Sequence, residues 1–194
     1  MNWGDLKLLA TSFLHRSDID FDALSPLARD DINLTLVVQE NEATASMTLA
    51  QGARQLFFAP LPQDYATMRS AMINGVICEP RDIKTLNERG YSGRNWYSVT
   101  GMNIYAPLSG QAEIVYTARL TPFASDAATD QVLLRYSQVW LYALLKHAAI
   151  LSQDFDARDQ YEKQFLDICG TANAVYQNMA FGPGMAAIPV GGPI

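Results

Sequence analysis

The spacing of apolar positions along this chain changes twice, from a helical period to an alternating one and back. At the start, Trp3, Leu6, Ala10 and Phe13 recur in steps of three and four, which predicts a helix over Trp3–His15. Asn2 is placed to cap it, and Asp5 lies in the first turn, where a carboxylate opposes the positive end of the helix dipole. A polar stretch, Arg16 to Asp22, follows. Ser25-Pro26 then reads as cap and first helical residue of a second helix carrying Leu27, Ala28, Ile32 and Leu36.

From Glu42 the period is two. Ala43, Ala45, Met47 and Leu49 alternate with Thr44, Ser46 and Thr48, the pattern of a half-buried strand. Gln51-Gly52 permits a turn into a second strand around Gln55 to Phe58, and Pro60 and Pro62 make a stiff extended link. Tyr65 to Ile73 reads as a strand ending at Asn74-Gly75, the strongest short hairpin signal, with Val76 to Cys78 returning. Pro80 to Arg89 reads as a short helix stopped by Gly90. Two strands hinged at Gly101 come next. A third, from Glu113 to Leu120, puts Ile114, Tyr116, Ala118 and Leu120 on one face.

The helical period then returns. From Gln131 to Gln153 the polar positions Gln131, Arg135, Gln138, Lys146 and Gln153 form one narrow stripe. Leu133, Leu134, Tyr136, Val139, Trp140, Leu141, Leu144, Leu145 and Leu151 fill most of the remaining circumference. A helix apolar around so much of its surface is buried on more than one side, either at the centre of a small bundle or against a neighbouring subunit. A last helix, about Phe155 to Met179, places Tyr161, Phe165, Ile168, Ala172, Val175 and Met179 on a narrow seam of coiled-coil type, with Asp159 and Lys163 outside it. The Gly and Pro content of Phe181–Ile194 forbids helix, yet the segment has no charged side chain. An apolar extended arm of this kind is expected to dock on a partner through Phe181, Met185, Ile188, Val190 and Ile194.

The expected architecture is α+β. A bundle of about four helices from both chain ends (residues 1–39 and 128–180) carries an inserted antiparallel β subdomain (40–127) and the arm 181–194. Leu133, Tyr136, Trp140, Leu144, Phe165 and Ile168 are the expected packing residues of the bundle or of a subunit contact. The chain's 194 residues fit one domain or a domain with an inserted subdomain, and 49% hydrophobic content is ample for a core.

Charge narrows the function. A net charge of −6 argues against a general nucleic-acid binder, which needs a basic face to displace counterions from phosphate. Cys78 and Cys169 are far apart without CxxC spacing and are expected as buried free thiols. Trp3 to Leu14 contains Asp5 and Lys7 and no continuous apolar run, so no signal peptide is expected, and no stretch approaches the roughly 20 apolar residues that span a bilayer.

No motif builds an active site. His15 and His147 each lack a second ligand at metal spacing; His147 is expected as a satisfied interior or interface histidine and His15 near helix-end carbonyls. Asp30, Asp31, Asp154, Asp156 and Asp159 read as solvated helix faces and caps. There is no nucleophile elbow, and Gly182-Pro183-Gly184 and Gly191-Gly192 do not join a strand to a helix or precede a Walker lysine. No cofactor, metal or catalytic residue is expected. Two rival readings have named residues: a ligand- or carbohydrate-binding face of Trp96, Tyr97 and Tyr105, with Arg94 nearby, and a hydrolase using carboxylates such as Glu40 and Asp64.

One resemblance covers nearly the whole chain. It rests on the order of parts: two N-terminal helices, a strand pair, and a Leu-Pro-x-Asp-aromatic-x-x-Met-Arg segment at Leu61–Arg69. An Asn-Gly hairpin follows, then an aromatic strand, a Gly, a strand ending in Ala106-Pro107, the strand Ile114-Val115-Tyr116-Thr117-Ala118-Arg119, and two long helices with a tail. This order resembles the head-to-tail adaptors of tailed bacteriophages, the phage SU10 adaptor family, related to tail tubular protein A. The second helix departs from that pattern, since Asp30, Asp31 and Asn33 dilute its basic character. The resemblance implies a structural virion protein. It would form a ring, typically of twelve copies, under the portal protein, with a tail nozzle or tail tube protein as the other partner. Genomic DNA would pass through the ring without sequence-specific binding. It implies no membrane partner, and a location at the virion's head–tail junction after assembly in the host cytoplasm.

Overall fold

The computed structural model describes residues 1–52, 56–87 and 95–181, with side chains placed to 178. The chain divides into two compact units, Met1–Asn41 with Leu120–Ile194, and Glu42–Arg119.

In the first unit, helix α1 spans Trp3–Leu14. The Asn2 carboxamide accepts from the Asp5 amide at 2.8 Å, and the Asp5 carboxylate accepts from the Asn2 amide at 3.1 Å, a reciprocal cap that satisfies two orphan donors. Helix α2, Phe21–Thr35, begins more than a turn before the expected start at Pro26. Asp20 is its cap, accepting from the Asp22 and Ala23 amides at 3.0 and 3.2 Å. Pro26 therefore lies inside the helix, close enough to its beginning that only one early hydrogen bond is forgone. At the other end of α2 the Asn173 side chain accepts from the Val37 amide at 2.7 Å and donates to the Thr35 carbonyl at 2.8 Å.

The single helix expected over 131–153 is two helices, α4 (Gln131–Arg135) and α5 (Ser137–Leu151), broken at Tyr136, whose φ of −124° and ψ of 45° are not helical. The break coincides with a change of demand. The Arg135 guanidinium pairs with Glu40 in the 3-10 turn Gln39–Asn41 and lies over the Tyr136 ring, while the next turn goes into the core. Helix α6 runs Phe155–Phe181, capped by Asp154, which accepts from the Ala157 amide at 3.0 Å. Its buried seam keeps Phe165 and Ala172 of the expected line and adds Cys169 and Tyr176, while Val175 is half exposed. The core of the unit joins Trp3, Leu6 and Ala10 to Leu24, Ala28, Ile32, Leu133, Trp140, Leu144 and Phe165. Trp3 stacks on Phe123 and meets Trp140 edge-on, with centroids 4.9 and 6.0 Å apart.

In the second unit the strands are β1 (Glu42–Gln51), β2 (Phe57–Pro60), β3 (Tyr65–Ile73), β4 (Val76–Pro80), β5 (Trp96–Thr100), β6 (Asn103–Ala106) and β7 (Gly110–Ala118), with a four-residue helix α3 at Ile83–Leu86. They form a closed barrel in the order β1-β2-β6-β5-β4-β3-β7. This closure corrects the expected fold class of a helical bundle with an inserted antiparallel β subdomain. The β part is a complete seven-stranded barrel, one of its pairs is parallel (β4 with β5, Glu79 opposite Trp96), and the described residues hold six α-helices rather than about four. The reason is long-range pairing. Turn signals specify neighbours in sequence, whereas β7 pairs with both β1 and β3, and β1 turns from β7 to β2 at Ala50 and Gln51. Alternating residues that line a barrel interior read the same as those of an open half-buried sheet.

Several local expectations shift with it. The second strand is Phe57–Pro60, and Gln55 lies outside the described residues. The helix expected over Pro80–Arg89 is confined to Ile83–Leu86 because Pro80 completes β4; Arg89 and Gly90 are outside the described residues. Asn74 and Gly75 have φ of 53° and 78°, the left-handed pair of a tight hairpin turn. The barrel is filled by Leu49, Ala71, Ile73, Tyr97, Ile104, Ala112, Ile114 and Tyr116.

Candidate assembly surfaces

The polar groups in the helical unit tie helices together. Asp31 of α2 accepts from Lys146 at 2.8 Å and contacts the His147 Nε2 at 2.6 Å with the same carboxylate oxygen, so two consecutive residues of α5 are held by one residue of α2. Lys146 is 9% exposed, and its ammonium lies 4.9 Å from the Phe165 ring centroid. It belongs to the expected polar stripe of this helix, yet it is an interior residue made tolerable by one carboxylate and an aromatic face. Lys7 is shared by Asp22 and Asp126 at 2.8 and 2.7 Å, and hydrogen bonds to both hold its pKa above the ordinary lysine value. Asp22 also accepts from the Trp3 indole at 2.6 Å; the Lys7 bond is the larger cause that lowers its pKa.

Most of the groups that could have carried chemistry have a structural partner. His15 closes α1 in the left-handed conformation, φ 49°. Asp30 pairs with Arg29, Asp159 with Arg158, and Asp154 caps α6. Glu40 pairs with Arg135 in the helical unit, and Asp64 accepts from the Tyr116 hydroxyl at 3.0 Å in the barrel. No group of three or more potential metal ligands occurs among the described residues. Cys78 and Cys169 are free and buried, and burial pushes the Cys169 thiol up to about 11, well away from thiolate chemistry.

The aromatic residues do not form one exposed face. Trp96 and Tyr97 are successive strand residues and point to opposite sides. Tyr97 is a core residue at 6% exposure, and Trp96 lies 5.4 Å beneath the Arg81 guanidinium. Tyr105 stacks on Phe58 at 6.0 Å. These two rings line a cavity of about 300 Å³ with Leu56, Ile83, Asn87 and Thr100, which offers no carboxylate, histidine, cysteine or lysine. Arg94 lies outside the described residues.

Of the packing residues expected from the sequence, Leu133, Trp140, Leu144 and Phe165 are fully buried in the helical core, and Tyr136 and Ile168 are half-buried against it. The apolar circumference of α5 is met by α1, α2, α4 and α6 of the same chain. In the expected arm, Phe181 is the last residue of α6 and its side chain is not described; Met185, Ile188, Val190 and Ile194 lie outside the described residues. Two apolar residues expected on buried helix faces, Phe13 and Leu151, lie instead on the helical surface, as do Ile150 and Phe155. Phe13, Ile150, Leu151 and Phe155 are 48%, 44%, 65% and 63% exposed. Their signal was visible as apolar residues at the helix ends, beside the caps.

Among known families, the model of the SU10 adaptor protein matches residues 1–185. The chain belongs to the SU10 adaptor protein family. This agrees with the resemblance in the order of elements, and the match takes in both the helical unit and the barrel. As an SU10 adaptor, the chain is a structural component of a bacteriophage. Residues 186–194 of this SU10 adaptor lie beyond the family match. No curated protein matched the chain. No helix among the described residues is long and apolar enough to cross a membrane.

Proposed function

We propose that this adaptor forms a ring, of twelve copies, between the portal protein and the tail nozzle or tail tube protein, and that the genome leaves the capsid through it. The observation that carries the reading is the family match over residues 1–185. The chemistry of the chain supports a mechanical role. Its acidic excess disfavours retention of phosphate in a conduit, because like charge repels the duplex and provides no counterion release. The arm from Met185 to Ile194 supplies apolar side chains for docking on the portal or on a neighbouring copy. Assembly begins in the host cytoplasm and ends at the head–tail junction of the virion.

The test is co-sedimentation with the purified portal, with and without residues 182–194. Ring formation on the portal by the full chain, lost on truncation while the circular dichroism spectrum is kept, is the expected result. Absence of any portal-dependent assembly by the full chain would sink the proposal.

A further inference from the structure

The barrel closes unevenly. β7 runs beside β1 from Glu42–Thr117 to Leu49–Gly110 without a bulge, whereas β2 pairs with β1 only at Ala50–Phe58 and Gln51–Phe57. Neighbouring residues of a strand turn their peptide groups to opposite sides, and bonds at the strand ends fix which way each residue of β1 faces. The Asn74 amide donates to the Gln111 carbonyl at 2.9 Å, so Gln111 faces β3, and Thr48 opposite it has its peptide groups turned away from β7. The Gly52 amide donates to the Leu56 carbonyl at 2.8 Å, which puts the even-numbered residues of β1 on the β2 side. Ala43, Ala45 and Met47 therefore bond to β7. Thr44, Ser46 and Thr48 present their amides and carbonyls on the other side, where the described residues place no strand.

The sequence explains the gap. Continuing the β1–β2 register puts Pro60 opposite Thr48, and proline has no amide to donate. Leu61 then donates to the Met102 carbonyl at 2.9 Å, which keeps the chain with the β5–β6 turn instead of β1. Burial records the same opening. Ala112, Ile114 and Tyr116 of β7 are buried, while Met47, Ala45 and Ala43 directly across from them are only half-buried. Native sheets blunt such an edge with lysine, proline or a bulge. From Ala43 to Gln51 this strand has neither charge nor proline, and its register with β7 is unbroken.

We infer that the outer edge of β1 pairs with the same edge of a second copy of this chain, antiparallel about a two-fold axis at Ser46. In that register Ser46 meets its own counterpart, and Thr44 meets Thr48 of the second copy. Each of the three open residues thus meets another open residue, with hydroxyl side chains opposite hydroxyl side chains. On the inner side Ala45 lies opposite Met47, so a large side chain covers a small one where β1 is half-buried. No charge stands opposite a like charge, because the paired stretch carries none. The contact is made of main-chain hydrogen bonds with little area, so it is weak and depends on concentration. A ring of cyclic symmetry has no two-fold axis between adjacent copies, so the pair belongs to the free protein. The inference does not draw on the adaptor reading.

The test is sedimentation equilibrium of the full chain over a range of concentrations, where a monomer–dimer equilibrium is expected. Ser46→Pro removes one outward amide per copy, at an edge position that tolerates proline, and should weaken the dimer about tenfold with an unchanged circular dichroism spectrum. Ser46→Ala keeps the amide and should keep the dimer. Cysteines test the register without relying on the proline variant. Ser46→Cys should form a disulfide-linked dimer on mild oxidation. Thr44→Cys and Thr48→Cys, carrying different tags, should link to each other and not to themselves, since like positions lie about 13 Å apart along the strands, beyond disulfide reach. The wild-type thiols, both buried, set the baseline. A monomer at every concentration, a dimer unchanged by Ser46→Pro, or links in another register overturns the inference. Loss of portal binding on Ser46→Pro, with a monomeric wild type, assigns the edge to the portal; it overturns the pair and leaves the adaptor reading intact. A dimer with these links in a protein that builds no ring on the portal does the reverse.

Discussion

Of the chain's 20 acidic residues, fourteen lie in the helical unit against seven Lys and Arg, while residues 42–119 hold six against seven. The net charge of −6 is thus −7 on one unit and +1 on the other. Exposed apolar side chains divide in a similar way. In the barrel they are Val76 and Ile77 beside the hairpin turn and Met102 in the β5–β6 turn; in the helical unit they include Leu8, Leu27, Leu34, Leu151, Phe155 and Leu166. A closed barrel pairs most of its strand edges within the chain, so it needs little from a neighbour beyond the outer edge of β1. The helical unit combines repulsive charge with unfinished apolar surface. Like charge on this unit opposes the close approach of two copies, and burial of apolar surface would favour it.

The comparison can be broken first at the helical core. Trp140→Ala removes a fully buried indole packed on Trp3 and Phe123, and should cost about 3–5 kcal/mol. In urea, loss of helical ellipticity is expected to move to lower denaturant while the near-ultraviolet signal of the barrel tyrosines stays put. One coincident transition for both signals would show that the units do not differ in stability.

Asp31→Ala comes next. It strands Lys146 in the interior, and removing one partner of such a pair is expected to cost about 3–5 kcal/mol, whereas Lys146→Met should be neutral or stabilising. Equal losses for both, read from chemical denaturation, would mean that the pair itself stabilises the fold.

The barrel's corresponding weak point is a backbone position. Gly110 has φ of 138°, and a Cβ there would lie 1.9 Å from the Asn74 carboxamide oxygen; at Gly75, φ 78°, a Cβ would meet nothing within 4 Å. Gly110→Ala should therefore lower stability by about 1–3 kcal/mol and Gly75→Ala by about 1 kcal/mol. The reverse ranking in thermal melts would remove the Asn74 contact from the account.

The smallest effect is one of pH. Asp130 caps α4 through the Leu133 amide at 2.6 Å, but its Oδ2 is buried without a partner among the described residues, and burial raises its pKa. A raised acid binds its proton more tightly folded than unfolded. This group's contribution is therefore most favourable below the ordinary carboxylate value near 4 and declines as pH rises through the folded value. Asp130→Asn, which keeps a capping oxygen, should flatten that part of the stability–pH curve; an unchanged curve would place the titration elsewhere.

Local signals in the sequence were legible where the chain's own neighbours decide the structure. Asn2 with Asp5 marked α1, and Asn74-Gly75 marked the hairpin. The alternation from Ala43 to Leu49 marked β1 and the side that faces inward. What was hidden depends on distant partners. Asp20 outcompetes Ser25 as the start of α2 with two amide contacts. Arg135 meets Glu40 and the helix breaks at Tyr136 beside it. Cys169 and Tyr176 replace Val175 on the seam of α6. Barrel closure was hidden for the same reason, since β7 finds β1 across more than sixty residues of chain.

The hairpin turn has a consequence for the lifetime of the particle. Asparagine followed by glycine is the pair most prone to deamidation, in which the glycine amide nitrogen attacks the side-chain carbonyl and converts the residue through a succinimide. A virion has no synthesis to replace an aged subunit. In this fold the Asn74 carboxamide is held at both atoms, its nitrogen donating to the Ser109 carbonyl at 3.0 Å and its oxygen accepting from the Gln111 amide at 3.1 Å. The same two bonds that fix the turn to β7 hold the side chain against the rotation that ring closure requires, so the folded barrel shields its own most perishable residue.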